Sequence, residues 1–63
     1  MNRLRQRHEY AVREALREER KAWSDLERAA RPSDVDEALL RRCRERWQAA
    51  ARVLVRELRT LKG

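Results

Sequence analysis

Apolar residues recur along this chain at steps of three and four, in two runs separated by a break near the middle. In the first run, Val12, Leu16, Trp23, Leu26 and Ala30 share one side of a helix, with Glu19 interrupting. In the second, Leu40, Cys43, Trp47, Ala50, Leu54, Leu58 and Leu61 form a matching stripe. This period predicts two amphipathic α-helices, because about 3.6 residues complete a turn. Ala15, Ala22 and Ala29 recur every seventh residue beside the first stripe. Small side chains there let a second helix approach closely.

The break is "RAARPSDVDEALL", which holds the one proline, Pro32. The residue before a proline avoids the helical region, so the first helix is expected to end near Ala30 or Arg31. Ser33 is the expected N-cap of the second helix, with Asp36 as the acidic half of a capping box. Asp34, Asp36 and Glu37 suit the positive end of a helix dipole, and Arg56, Arg59 and Lys62 the negative end. Gly63 is a plausible helix terminus. The expected elements are a helix over about 3–30, a turn at 31–33 and a helix over about 34–61, in one domain spanning 1–63. So short a turn favours an antiparallel coiled-coil hairpin.

Folding about Pro32 sets Leu26 near Leu39, Trp23 near Cys43, Leu16 near Ala50 and Val12 near Leu54. It also brings Glu19 close to Trp47 and Arg46. Two helices cannot cover both tryptophans, and a chain of 63 residues sits at the edge of independent stability. One cysteine excludes an internal disulfide. The stripe Val12, Leu16, Trp23, Leu26, Leu40, Cys43, Trp47, Ala50, Leu54, Leu58 and Leu61 is therefore an assembly seam. The expected architecture is all-α: a hairpin that dimerises into a four-helix bundle with left-handed packing.

Composition agrees with long helices. Charged residues make up 44% of the chain, with one Gly, one Pro and no Phe. Ala, Leu, Arg and Glu dominate, and these lose little rotamer freedom in a helix. "MNRLRQRHEY" has a basic start with no apolar core behind it, so no secretion signal is expected. The longest apolar runs are three residues, as in Ala49-Ala50-Ala51, too short for a membrane span. A lone thiol suits a reducing cytoplasm.

Catalytic chemistry is not expected. One glycine cannot form a phosphate-cradling loop, and the spacing gathers no nucleophile, base and orienting group. His8, Cys43 and the carboxylates lack finger-like spacing, so no metal and no cofactor are expected. His8 falls near the edge of the seam, where it approaches Leu58. Cys43 occupies a core position and behaves as a small hydrophobe. Glu18 and Glu19 project about 100° apart and do not chelate together. No small-molecule substrate follows from these residues.

The net charge is +6, from 17 basic and 11 acidic residues. Its placement matters more than its total. Arg3, Arg5 and Arg7 give residues 1–7 a charge of +3, and residues 52–63 also carry +3. Residues 25–40 carry −3. A hairpin collects the first two segments at its open end and leaves the third at its tip, forming a rod with a basic end and an acidic end. Such a dipole steers charged partners.

An outward row on the second helix runs through Arg41, Arg52, Arg56 and Arg59, about 27 Å long at 1.5 Å per residue. The first helix offers Arg3, Arg7, Tyr10 and Arg17 on a similar face. These side chains are the candidate contacts to phosphates or to an acidic partner. The plainer reading is a solvated face with i,i+4 pairs at Glu9–Arg13, Glu27–Arg31 and Glu37–Arg41. A membrane is not an expected partner, because Trp47 belongs to the seam.

In length and near-central turn the chain resembles, in shape, the small plasmid-encoded hairpins that dimerise into four-helix bundles and bind paired RNA loops. It is similar in size to a basic two-helix protein of the large ribosomal subunit. "RWQAAARVLVREL" resembles the Ala-rich second helix of small co-chaperones of type III secretion needle subunits. No residue motif is shared with any of the three, so no residue roles carry over. The expected function is that of a non-enzymatic interaction module, an adaptor, regulator or co-chaperone that self-associates as a dimer or packs on a helical protein partner. The alternative is an RNA- or DNA-binding bundle that uses the outward arginines.

Overall fold

The structure, a computed structural model, describes the backbone of residues 3–62 and the side chains of residues 6–61. Two helices, α1 (Arg3–Ala30) and α2 (Glu37–Lys62), pack against each other as a hairpin. α1 has the bounds that the periodicity and Pro32 predict. It closes with the Arg31 N–H donating to the Arg28 carbonyl at 3.4 Å, a tightened final turn before the proline.

α2 starts three residues later than expected, and its N-cap is Asp36, not Ser33. The Asp36 Oδ1 accepts from the N–H groups of Ala38 at 3.1 Å and Leu39 at 3.2 Å. Its carbonyl accepts from the Leu40 N–H at 2.9 Å. One short carboxylate thus satisfies two of the donors that a helix start leaves open, and its charge faces the positive end of the dipole. Ser33 offers a neutral hydroxyl and stays exposed in the link. Val35 and Leu40, both half-buried, hold the two positions of a hydrophobic staple around the cap.

Glu19 meets Trp47, as the fold about Pro32 predicts. Trp23 meets Trp47, one turn beyond the expected Cys43, with ring centroids 5.2 Å apart and planes tilted by 57°. Tilted aromatic pairs align ring edges with ring faces and avoid stacking like charge on like.

The contact line between the helices also differs from the expected one. The buried side chains are Ala15 at 6% exposure, Ala22 at 3% and Cys43 at 8%. Around them His8, Val12, Glu19, Leu26 and Ala29 on α1 are half-buried, at the same three-four spacing. Leu16 and Trp23, expected in the seam, are displaced by one residue from this line and stand exposed. On α2, Leu40, Trp47, Ala50 and Leu54 are half-buried as expected, but Glu57 takes the position assigned to Leu58. Leu58 and Leu61 are exposed. The heptad of alanines explains the shift. Two helices gain most from close approach where side chains are small, and alanine lets the backbones near each other. Bulky residues are then pushed to the edges of the contact.

The result is a thin rod of 54 × 14 × 12 Å with a radius of gyration of 14.8 Å. A compact chain of this length has a radius of about 11 Å.

Candidate interaction surface

Among the described residues, no large hydrophobic side chain is buried. Leu16, Trp23, Leu39, Val53, Val55, Leu58, Leu61 and Tyr10 are all exposed. The accessible surface is 5627 Å². A compact monomer of this mass exposes about 4,300 Å². The hairpin therefore carries apolar area that its own fold does not cover.

That area is divided between the two long edges of the rod. Helical spacing puts Asp25 and Glu18 on one side of the α1 contact line, and Leu16 and Trp23 on the other. On α2, Leu39, Arg46 and Val53 lie on one side, and Arg44, Ala51 and Leu58 on the other. The Arg46 guanidinium approaches the Asp25 carboxylate at 3.9 Å across the hairpin, so these two flanks share an edge. Arg28 binds the same carboxylate at 3.3 Å. This edge is bridged by charge. The opposite edge joins Leu16 and Trp23 to Ala51 and Leu58, with Val55 beside them. It is the apolar edge, and Trp23 is 44% exposed there, Leu58 46%.

Among the described residues, a polar link crosses the contact line. The Trp47 Nε1–H donates to Glu19 Oε2 at 2.7 Å. The sequence places Glu19 beside Trp47 and Arg46; the structure makes the first of these a hydrogen bond.

The proposed arginine faces are exposed. Arg7, Arg17 and Tyr10 lie on the outside of α1, and Arg41, Arg52, Arg56 and Arg59 on the outside of α2. The side chains of Arg3 and Lys62 lie outside the described residues, as does Gly63 of the predicted helix terminus. Arg17 is held by Glu14 at 3.5 Å. Two ion pairs along α1 use i,i+3 spacing, Glu14–Arg17 and Asp25–Arg28, and among the described residues the expected Glu27–Arg31 and Glu37–Arg41 do not pair. Arg52, Arg56 and Arg59 surround an open trough of about 470 Å³ whose floor is Ala51 and Val55. The sequence reading passed over Val53 and Val55. The run Val53-Leu54-Val55 held the signal: three consecutive residues spread over about 200° of a helix, so they cannot all face one partner.

His8 is half-buried and Cys43 is a buried free thiol on the contact line. Among the described residues, no group of three or more His, Cys, Asp or Glu is gathered where it could hold a metal ion. No helix among them is long and apolar enough to cross a membrane. No protein-family model matches the chain, and no curated protein or solved structure matches it.

Proposed function

We propose that the protein is a non-enzymatic helical-hairpin interaction module that works by burying its apolar edge against other helices, through self-association into a four-helix bundle or against a helical protein partner. The observation that carries this reading is the absence of any buried large side chain among the described residues. A lone hairpin with a core of two alanines and a cysteine has little to offset the conformational entropy of ordering its chain. Completing the burial of side chains that stand roughly half exposed contributes about 1 kcal/mol each. The hairpin's stability and its binding are then one process, and its role is that of a small adaptor, regulator or co-chaperone.

Molar mass by light scattering tests this at micromolar concentration. The expected mass is a multiple of the chain's 7.6 kDa. A folded, cooperatively melting monomer with no affinity for helical partners would reject the reading. Leu54→Asp, which sets a charge on the half-buried line, is expected to disrupt the assembly.

The trough of Arg52, Arg56 and Arg59 supports a second reading, in which the bundle binds RNA or DNA through its outer arginines. Guanidinium groups form bidentate bonds with phosphates and release counterions, so such binding weakens steeply with salt. Burial of an apolar edge responds little to salt.

A further inference from the structure

We infer that the apolar edge is covered by a second copy of the hairpin lying head to tail, with the open end of each copy against the tip of the other. This rests on the self-association reading and specifies its geometry.

Three observations converge. First, the two edges are not equivalent. The Asp25–Arg46 edge, which also holds Leu39 and Val53, is bridged by its own ion pairs, whereas the edge of Leu16, Trp23, Val55 and Leu58 has exposed apolar side chains bordered by arginines and no ion pair across it among the described residues. Second, this apolar run is centred on the rod. Leu16 lies near the midpoint of α1, and the run extends from Trp23 on the tip side to Leu58 on the open side. A two-fold axis crossing the rod at Leu16 sets Trp23 of each copy at the level of Leu58 of the other. That contact is self-complementary, as an isologous interface must be. The run occupies the central part of a side that measures 54 Å by 14 Å, roughly 750 Å² in all, so reaching the ~800 Å² per partner of a standard stable interface takes contact along the full length of both rods.

Third, charge chooses between the two directions. Residues 25–40 at the tip carry −3, and residues 52–63 at the open end carry +3. Copies packed side by side in the same direction bring tip to tip and open end to open end, and like charges meet along both halves. Head-to-tail packing brings each acidic tip within a Debye length, about 10 Å, of a basic end. The same charges that repel in one arrangement attract in the other, so direction is selected even where the apolar contact would tolerate both.

The test uses the full chain with Cys43→Ala, so that a single introduced thiol carries a spin label. At Ala30→Cys, near the tip, head-to-tail packing sets the two labels about 40 Å apart, counting 1.5 Å per residue from the axis at Leu16. Packing in the same direction sets them within about 20 Å. Two further variants test the edge: Val55→Glu on the apolar edge is expected to yield monomer, and Val53→Glu on the ion-paired edge to leave the dimer intact. A dimer with the short label separation overturns the head-to-tail arrangement and leaves self-association standing. A dimer that survives Val55→Glu and is split by Val53→Glu overturns the choice of edge. An unlabelled, unsubstituted chain that scatters light as a monomer overturns the self-association reading, and the geometry with it.

Discussion

Trp47 and Glu19, 28 residues apart in the chain, meet across the hairpin through a 2.7 Å hydrogen bond from the indole Nε1–H to the carboxylate. Both sit on the line where α1 and α2 touch, and both are half-buried. The carboxylate interrupts an apolar stripe, so its partner matters more than it would on an open surface. A hydrogen bond to a charged group is short and strong, and a part-buried acceptor that loses its donor is costly. Trp47→Phe is expected to destabilise the protein by about 1–3 kcal/mol. Adding Glu19→Leu should return much of that loss, since replacing both partners by apolar groups removes the stranded carboxylate as well as the bond. Urea denaturation of the two single variants and the double variant, at one protein concentration, measures this. Equal midpoints for Trp47→Phe and the parent chain would show that the bond contributes nothing.

Ala22 is the most buried side chain described, at 3% exposure. A leucine there has to push aside the neighbours that bury the alanine. Ala22→Leu is expected to cost about 1–3 kcal/mol, the usual penalty of overpacking. Circular dichroism melts read it as a lower midpoint with little loss of helicity in the cold. The comparison is Ala49→Leu, at an exposed α2 position, where little change is expected.

The start of α2 provides a paired test of the cap. Asp36→Ala removes the acceptor for the Ala38 and Leu39 amides and is expected to cost about 1 kcal/mol. Ser33→Ala alters an exposed link residue and is expected to fall within about 0.5 kcal/mol of the parent chain. Thermal melts of the two variants should differ in that order. The reverse order would restore Ser33 as the cap.

Replacing Arg52, Arg56 and Arg59 by glutamine removes three positive charges around the α2 trough. If the bundle binds RNA or DNA there, the slope of log affinity against log salt should become shallower by about 2–3 for a single- or double-stranded ligand. Fluorescence anisotropy with a labelled oligonucleotide across a salt series measures it. Unchanged binding would place any nucleic-acid contact elsewhere. The hairpin itself should keep its helicity after the triple change, because these side chains are exposed and lie off the line where α1 and α2 touch.

Legibility differed between levels of structure. The end of α1 follows from residue types and Pro32, and the helix ends at Ala30, within the expected bounds. The proximity of Glu19 and Trp47 follows from folding at that point. The cap did not follow, because Ser33, Asp34 and Asp36 all have side chains suited to the position, and choosing among them depends on where the chain re-enters the packed pair. Val12 and Leu26 lie on the contact line, but Ala15 and Ala22 take the places beside Leu16 and Trp23. Leu16 and Trp23 have the stronger apolar signal, while Ala15 and Ala22 have the better shape for close helix packing.

Local preferences along this chain are enough to determine two amphipathic helices, the break between them and a rod with oppositely charged ends. Each of these depends on residue type and spacing alone. Which residues become the contact line, and which are left at the edge, was decided by tertiary packing. Close approach of two backbones rewards small side chains at the point of contact, a quantity that hydrophobicity along a sequence does not register. That choice put alanines and Cys43 inside and left Leu16, Trp23, Val55 and Leu58 facing outward.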